Sequence, residues 1–296
     1  MAGIAPDEVV VVAPAKINLC LEVLRQRQDG FHEIRSVAQT VGLCDLLVLR
    51  RADDLQVRCR GWRIPSRQNL VYRAAVLLRE RSGCRAGALI ELCKAIPVAA
   101  GFGGGSSDAA AALIGLSRLW GLSLGQADLA ETAASLGSDV PFFLAGGTAT
   151  LAGRGEVVER IGTPPGLWFV LAAPPHEQRR KTEALYGRLG PDDFSRGSRT
   201  KALCADLLAR DPAGWNLWNV FRPHMESVFS SWGRFEERFR RVARGPVGLS
   251  GAGPGLFAIC QHREEAEAWA SALRADGQEA WAAAGVGPRP DCSPPP

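Results

Sequence analysis

The chain has 296 residues, of which 46% are hydrophobic and 22% are charged, a composition typical of a globular protein. Its formal net charge is only +4, and the arginines are scattered, so we expect no nucleic-acid partner. No run approaches the roughly 18 apolar residues that a membrane helix needs, so we expect no membrane partner. The eight cysteines form no C-x-x-C pair and no basic leader precedes the first apolar run, which favours free thiols in a cytoplasmic protein.

The first half of the chain reads as short strands followed by helices. Apolar and β-branched runs predict strands at residues 9–12, 17–24, 45–50, 55–59 and 88–96. Helical spacing predicts helices at residues 71–81 and 108–120, and Ser123 is expected to cap a further helix that ends before Gly137. The glycines at residues 146–155 indicate a looser stretch.

The second half begins beyond a proline-rich boundary at residues 163–166. Strands are predicted at 168–172 and 256–260, and helices at 182–189, 200–208 and 264–275. The arginines of residues 234–244 alternate with glutamates, which we interpret as a solvated helix face, with anion binding as the alternative. We predict an α+β fold with one domain at residues 1–162, a second at 163–285 and a disordered tail at 286–296.

Residues 97–108, PVAAGFGGGSSD, have the composition of a phosphate-binding loop between a strand and a helix. Glycines let backbone N–H groups converge on an oxyanion, and the following helix contributes its positive dipole end. Ser106 and Ser107 could donate hydroxyls to phosphate oxygens or ligate Mg²⁺. A flexible turn is the alternative, but a turn needs fewer glycines. Two common nucleotide loops are excluded, because no glycine precedes a lysine and Ser106 stands where G-x-G-x-x-G ends in glycine.

This loop resembles the ATP loop of the GHMP kinases, and other segments agree with that family in the same order. They are PAKINL at residues 14–19, RQDGFHEI at 27–34, LGSDVPFF at 136–143 and the glycine motif GAG at 251–253. The resemblance therefore extends over nearly the whole chain. It implies a two-domain GHMP kinase fold, with an N-terminal α+β domain, a C-terminal ferredoxin-like domain and the active site between them.

The resemblance also implies the reaction, that of an ATP-dependent small-molecule kinase, with Mg²⁺ accompanying ATP. The extra glycines before the serine pair make this loop similar to that of one branch of the GHMP kinases. Enzymes of that branch phosphorylate the 2-hydroxyl of a cytidine diphosphate-linked methylerythritol in non-mevalonate isoprenoid biosynthesis. Two alternatives stay open. One is another GHMP kinase, acting on homoserine or a sugar, and the other is a nucleotide-binding protein without turnover. The metal ligands and the oligomeric state stay open as well.

The catalytic residues implied by the resemblance are Asp139, as the base for the substrate hydroxyl, and Lys16, which would offset the charge that develops in transfer. Taken alone, Asp139 could equally cap a turn before Pro141. Asn18 lies on the same strand face as Lys16 and is expected to orient the substrate. The nucleotide-binding residues implied are Pro97, Val98, Ala99, Ala100, Gly101, Phe102, Gly103, Gly104, Gly105, Ser106, Ser107, Asn69 and Lys94.

The implied cytosine site consists of Phe31 for stacking and His32 for the edge of the base, with Tyr186 as a second stacking face and Thr182 beside it. Ordinary helix packing would explain Tyr186 nearly as well. Some positions depart from the family's pattern. Phe31 stands where tyrosine is more common, Phe102 replaces the usual leucine, Pro254-Gly255 replaces a small residue followed by cysteine, and Val220 replaces aspartate.

Overall fold

The computed structural model describes residues 6–60, 68–162, 164, 166–174, 181–209 and 214–289. The strands are β1 (Glu8–Gln26), β2 (His32–Ala52), β3 (Leu55–Arg60), β4 (Gly87–Cys93), β5 (Thr148–Ala152), β6 (Val157–Ile161), β7 (Trp168–Ala173), β8 (Trp218–Asn219), β9 (Val247–Leu249), β10 (Leu256–Cys260) and β11 (Glu279–Ala284). The helices are α1 (Leu70–Ser82), α2 (Gly104–Leu119), α3 (Gln126–Leu136), α4 (Val140–Ala145), α5 (Lys181–Tyr186), α6 (Ser198–Ala209), α7 (Met225–Val228), α8 (Trp232–Val242) and α9 (Arg263–Ala275).

A seven-stranded sheet with the order β3-β4-β2-β1-β8 organises the first half, and the β5–β6 hairpin pairs with β2. Strands β1 and β2 form one long antiparallel ladder from Glu8 opposite Arg50 to Gln26 opposite His32. The sequence predicted only separate pieces of β1 and the last part of β2. Pro14 is accommodated within β1 because the register shifts between Pro14 and Ala15, where the ladder needs no proline N–H.

Helices α1 to α4 pack on one face of this sheet around a core of aliphatic and aromatic side chains. Alanines fill most of α2, so that this helix approaches the sheet closely, and a Cβ atom at Gly115 would lie 2.7 Å from a Leu49 methyl carbon. The predicted start of α2 at residue 108 is wrong, since the helix begins at Gly104. The prediction for Ser123 is also wrong. Gly125 precedes α3, and its N–H donates to the Asp128 carboxylate at 3.3 Å.

The stretch at residues 146–155 contains regular structure that its glycines hid from the sequence analysis. Strands β5 and β6 pair in antiparallel register from Thr148 opposite Ile161 to Ala152 opposite Val157. Gly153 and Gly155 lie in the turn between these strands with φ of 69° and 118°, so the glycines permit a tight hairpin. The predicted loose stretch is therefore limited to the turns.

A second sheet, with the order β11-β7-β10-β9, organises the other half, and its neighbouring strands are all antiparallel. If these four strands are numbered along the chain, they lie in the sheet in the order 4-1-3-2, and helices lie in the two crossovers. This is the ferredoxin-like arrangement predicted for this domain. The arginine-rich segment forms α8, where Arg240 and Arg241 pair with Glu236 and Glu237, each at 2.8 Å. The interpretation of this segment as a solvated helix face is confirmed.

The two halves share a third cluster of buried residues, in which Ile17 of β1 and Phe169 and Phe257 of the second sheet take part. The chain also crosses between the halves, because β8 pairs in parallel with Cys20 and Leu21 of β1. The domain boundary at residue 162 stays a prediction. The shared core and the pairing of β8 with β1 join the two halves across it. No described helix is long and apolar enough to cross a membrane.

Part of the predicted tail is ordered, which corrects the sequence analysis. The Val286 N–H donates to the Thr40 carbonyl oxygen at 2.9 Å, and Arg289 donates through its N–H to Ala145 and through its guanidinium to Val12. The proline content of this segment was misleading. Pro288 forms an antiparallel β-bridge with Gly146, at a strand edge where the N–H that proline lacks is not needed. The rest of the predicted tail, residues 290–296, lies outside the described residues. The seven described cysteines are free as predicted, although only Cys20 and Cys260 are fully buried.

Candidate active site

A cavity of about 1110 Å³ opens between the two halves of the molecule. It is lined by strand β1, the glycine-rich loop, the start of α4, helix α5 and the glycine motif of residues 251–253. Every site residue that the sequence analysis named lies along this cavity except Ser107. Tertiary structure thus brings together segments from both ends of the chain.

The glycine-rich loop enters helix α2 through backbone conformations that glycine adopts most readily. Gly101 and Gly103 have φ of 93° and 72°, and Gly103 immediately precedes the helix. A Cβ atom at Gly103 would lie 2.7 Å from the Phe143 ring and 3.0 Å from Cγ of Lys16. The loop therefore lies directly on Lys16, and Gly104, Gly105 and Ser106 of the first turn of α2, where a helix leaves N–H groups unpaired, line the cavity.

A second glycine loop, at residues 250–255, supports the first from the other half of the molecule. The Gly255 N–H donates to the Ala100 carbonyl oxygen at 2.9 Å, and the Ser250 hydroxyl donates to the Gly101 carbonyl oxygen at 2.9 Å. A Cβ atom at Gly253 would lie 2.2 Å from the Ala100 carbonyl oxygen. The glycines of the C-terminal motif thus allow two backbone segments to pack in direct contact.

Two departures from the family's pattern lie against each other. The Phe102 side chain is buried, and a Cβ atom at Gly255 would lie 2.7 Å from its ring. Space left by Gly255 therefore accommodates the larger side chain at residue 102. The third departure, Val220, lies in the apolar core of the second half. Its neighbour Asn219 donates its side-chain N–H groups to the Leu249 and Gly251 carbonyl oxygens, both at 2.9 Å, and so anchors the second glycine loop.

The two serines at the start of α2 have different environments. Ser106 lines the cavity, whereas Ser107 is fully buried, and its hydroxyl donates to the Pro14 carbonyl oxygen at 2.7 Å. Successive helical residues point about 100° apart, so one serine faces the cavity and the next faces strand β1. The expectation that Ser107 donates its hydroxyl to phosphate is therefore wrong, and its side chain holds α2 against β1.

Lys16 and Asp139 lie beside the loop, with the ammonium nitrogen 3.6 Å from a carboxylate oxygen. The Lys16 side chain is only 4% exposed, whereas that of Asp139 is 38% exposed toward the cavity. The Asp139 carboxylate makes no capping bond to α4, which argues against the alternative role as a turn cap. Lys16 also donates to the Asn18 side-chain oxygen, and the Asn18 amide donates to the Ser36 hydroxyl at 2.8 Å, so the group is held in place.

A second buried charge cluster lies under the glycine loop. The Lys94 ammonium donates to both the Asp45 and Asp108 carboxylates, at 2.7 Å to Asp108. A Cβ atom at Gly104 would lie 3.1 Å from this ammonium. Burial raises the pKa of Asp108 to about 7, and its second oxygen has no hydrogen-bond partner among the described residues. Although burial opposes it, the two carboxylates raise the pKa of Lys94, which stays charged.

Asn69 and Lys94 both line the cavity as the sequence analysis expected, but each has a structural partner. The Asn69 side-chain oxygen accepts the Val71 N–H at 2.9 Å and so caps helix α1. Sequence reasoning did not find the Asp45–Lys94–Asp108 cluster, because its members are far apart in the chain. Nucleotide contact by Asn69 and Lys94 stays a prediction.

Aromatic side chains form the other end of the cavity. The His32 and Tyr186 ring centroids are 4.8 Å apart, and Tyr186 also contacts Phe221 edge to face at 4.8 Å. Burial lowers the pKa of His32, so its imidazole is neutral at pH 7 and can both donate and accept a hydrogen bond. Burial raises the pKa of Tyr186, which keeps its hydroxyl protonated. Thr182, one turn of α5 earlier, lies at the same end.

Phe31 is half exposed in the cavity, and the Arg154 guanidinium lies 4.6 Å from the centre of its ring. The sequence analysis missed Arg154, which it placed in the loose glycine stretch. A basic residue between two glycines, Gly153 and Gly155, was the available signal. Ser138, Asp108 and the backbone of Gly251 and Gly253 also line the cavity without having been named as site residues.

Comparison with known proteins agrees with this geometry. Residues 69–147 match the family model of the GHMP kinases N terminal domain. The chain is 38% identical over 279 residues to the 4-diphosphocytidyl-2-C-methyl-D-erythritol kinase of Dehalococcoides mccartyi, covering 94% of this chain and 98% of that protein. It is 40% identical over 261 residues to the protein of the same name from Bacillus cereus, covering 86% and 89%.

A solved structure agrees as well. The crystal structure of a 4-(cytidine 5′-diphospho)-2C-methyl-D-erythritol kinase superposes with a TM-score of 0.80 at 34% identity, covering 94% of this chain and all of that one. The match to the Dehalococcoides mccartyi protein covers 94% of this chain at 38% identity. The chain therefore belongs to the GHMP kinases and, among them, to the 4-diphosphocytidyl-2-C-methyl-D-erythritol kinase family.

Proposed function

We propose that this protein transfers the γ-phosphoryl group of ATP to the 2-hydroxyl of 4-diphosphocytidyl-2-C-methyl-D-erythritol, a step of non-mevalonate isoprenoid precursor biosynthesis. The observation that carries the proposal is the 3.6 Å pairing of Lys16 and Asp139 in the same cavity as the glycine-rich loop. This arrangement supplies a phosphate site and a carboxylate base side by side. The names of the relatives support the choice of substrate.

The residues of the loop fit a nucleotide triphosphate. The left-handed conformation of Gly103 turns the chain into α2, so that N–H groups of the first helical turn point into the cavity. Glycine at residue 104 lets the first turn of α2 pack closely on Ile96 and Lys94, since a Cβ atom there would lie 3.0 Å and 3.1 Å from them. Ser106, which lines the cavity, can donate its hydroxyl to the same oxygens.

The transfer step then uses Asp139 and Lys16. The hydroxyl oxygen forms a bond to the γ-phosphorus, the bond from that phosphorus to the β–γ bridging oxygen breaks, and ADP leaves. The hydroxyl proton passes to the Asp139 carboxylate, whose exposed side chain faces the cavity. The Lys16 ammonium offsets the negative charge on the oxygens of the phosphoryl group during its transfer.

Mg²⁺ would enter bound to the phosphates of ATP and neutralise part of their charge. The described residues contain no group of three or more histidine, cysteine, aspartate and glutamate side chains that could hold a metal by themselves. Ser106 offers a hydroxyl ligand beside the loop. We propose Ser106, rather than Ser107, as the serine that contacts the metal or the phosphates.

The aromatic end of the cavity would bind the cytosine base. Phe31 presents an exposed ring for stacking, and the neutral His32 imidazole can hydrogen-bond to the edge of the base. Tyr186 contacts the His32 ring and so holds it in orientation, with Thr182 nearby. A homoserine or sugar kinase would have no use for this aromatic wall, and we therefore favour the cytidyl substrate.

A turnover assay tests the proposal directly. The purified protein is incubated with ATP, Mg²⁺ and one alcohol at a time: the cytidyl substrate, homoserine, galactose or mevalonate. ADP release is measured, and the product is analysed by ³¹P NMR for a phosphomonoester on the 2-oxygen. We expect turnover with the cytidyl substrate. Preference for another alcohol, or ATP binding without a phosphorylated product, would overturn the assignment.

A further inference from the structure

Arg154 differs from the two lysines that line the cavity in its hydrogen bonds. Lys16 donates a hydrogen bond to Asn18, and Lys94 donates to two buried carboxylates. The Arg154 guanidinium forms an ion pair with the Glu156 carboxylate at 3.8 Å and also lies near enough to the Asp29 carboxylate to lower its pKa, but within the described ranges it donates no hydrogen bond. Glu156 instead accepts the backbone N–H of Arg154 at 2.5 Å. The guanidinium thus retains its five N–H donors for a ligand.

The β5–β6 turn holds Arg154 in a defined position. The Ile34 N–H donates to the Gly153 carbonyl oxygen at 2.8 Å, and the Gly155 N–H donates to the Ala152 carbonyl oxygen at 3.0 Å. The side chain is 28% exposed and rests on the Phe31 ring, with the guanidinium 4.6 Å from the ring centre. A cation fixed in this way loses little conformational entropy when it binds an anion.

The position lies between the two ends of the proposed substrate. On one side is Phe31, the proposed platform for cytosine. On the other side the same turn packs against the residue before the proposed base, because a Cβ atom at Gly155 would lie 3.5 Å from Cβ of Ser138. In a cytidine diphosphate-linked alcohol, the diphosphate lies between the base and the hydroxyl that reacts. The turn that carries Arg154 thus reaches from Phe31 to Ser138, and its guanidinium lines the cavity within this span.

We propose that Arg154 binds the diphosphate of the acceptor substrate and so selects a nucleoside-diphosphate-linked alcohol over a neutral one. The inference rests on the proposed function, since it assumes that the base binds at Phe31 and the hydroxyl at Asp139. Planar guanidinium groups bind phosphate oxygens through two parallel hydrogen bonds, which fixes direction as well as charge. Arg154 is thus a specificity residue for the acceptor and not for ATP.

Binding of CDP and of cytidine by isothermal titration calorimetry tests the inference, because the two probes differ only in the diphosphate. Arg154→Gln should weaken CDP binding roughly 10- to 100-fold, as expected for loss of charge-assisted hydrogen bonds. Cytidine binding should change less than about twofold, and ADP binding should stay unchanged. Arg154→Lys should recover part of the CDP affinity, since it keeps the charge but not the planar fork.

Arg25→Gln provides the matched control, because Arg25 is 71% exposed on the same strand as Lys16 and does not line the cavity. This variant loses the same charge and should bind CDP like the wild type. If Arg154→Gln weakens CDP and cytidine equally, Arg154 only supports Phe31 and the inference is wrong. It is equally wrong if CDP binding is unchanged, or if ADP binding falls instead.

Kinetics separate this inference from the proposed function. With the cytidyl substrate, Arg154→Gln should raise KM roughly 10- to 100-fold and leave kcat within a few-fold, since the residue binds the acceptor away from the bonds that change. Absence of turnover by the wild type would overturn the proposed function and the inference together. Normal wild-type turnover with an unchanged KM in the variant would overturn the inference alone.

Discussion

The Lys16 ammonium lies 3.6 Å from the Asp139 carboxylate, although one residue belongs to the first strand and the other precedes the fourth helix. Gly103 lies over the Lys16 side chain, so the pair is directly beside the first turn of α2. A carboxylate, an ammonium group and a helix N-terminus therefore converge at one end of the cavity. This arrangement explains why the chemistry depends on contacts between the motifs as well as on each motif.

Replacement of Asp139 by asparagine should lower kcat by about 10²- to 10⁴-fold, because a general base contributes an effect of that size. The KM for ATP should stay within a few-fold of the wild-type value, since we propose that the phosphates bind to the glycine-rich loop. Steady-state kinetics with varied ATP check both values. Asp53→Asn, at an exposed turn outside the cavity, is the control. Wild-type turnover by the Asp139 variant would remove this residue from the mechanism.

Gly253→Ala should displace the ATP loop, since the added Cβ atom would lie 2.2 Å from both the Ala100 carbonyl oxygen and the Gly101 N–H nitrogen. Backbone atoms cannot move aside as a side chain can, and a displacement near 1 Å costs about 10²-fold in catalysis. We expect a decrease of roughly that size in kcat/KM for ATP. Gly190→Ala is the control, because no atom lies within 4 Å of the position of its Cβ. Equal kinetics for the two variants would contradict the interlocked loops.

Alanine substitution at the two serines of α2 should give opposite results. Ser107→Ala removes a buried hydrogen bond to the Pro14 carbonyl oxygen and should lower the free energy of unfolding by about 1 kcal/mol. Ser106→Ala should leave stability unchanged and raise the KM for ATP severalfold. Urea denaturation and initial-rate kinetics on both variants measure the two effects. An increase in the KM for ATP confined to the Ser107 variant would reverse the assignment.

Asp108 should make stability depend on pH. Because burial raises the pKa of this carboxyl group to about 7 in the folded protein, the folded state binds the proton more tightly than the unfolded chain. Its contribution to stability is complete below about pH 4 and is lost as the pH rises through about 7. Relative to Asp108→Asn, the free energy of unfolding of the wild type should fall by roughly 1 kcal/mol or more across this range.

Urea denaturation at a series of pH values between 4 and 8 measures this difference. The two proteins are compared by the slope of the free energy of unfolding against pH. Their absolute stabilities also differ, since the asparagine of Asp108→Asn changes the contact with Lys94 at every pH. Asp53→Asn, which alters an exposed carboxylate, should follow the wild-type slope. Parallel curves for wild type and Asp108→Asn would show that Asp108 does not titrate in this range.

Local sequence was enough to predict the fold class and to single out the glycine-rich loop of residues 97–108. Glycines followed by serines and a helix define an anion site through backbone chemistry that needs no distant partner. The same reasoning failed where glycine content was taken to indicate a loose stretch and proline content a disordered tail. Strands β5 and β6 and the contacts of Val286 and Arg289 form because β2 and neighbouring edges offer unpaired backbone groups.

The amino-acid sequence by itself determined which chemical groups are present: the phosphate loop, Lys16, Asp139 and the aromatic residues around Phe31. Tertiary structure alone decided how they are used. It turned Ser107 away from the cavity, buried Lys94 between two carboxylates, and placed Arg154 between Phe31 and Ser138. The physical reason is that these contacts join residues far apart in the chain, and their distances follow from strand register and helix packing, which no local pattern specifies.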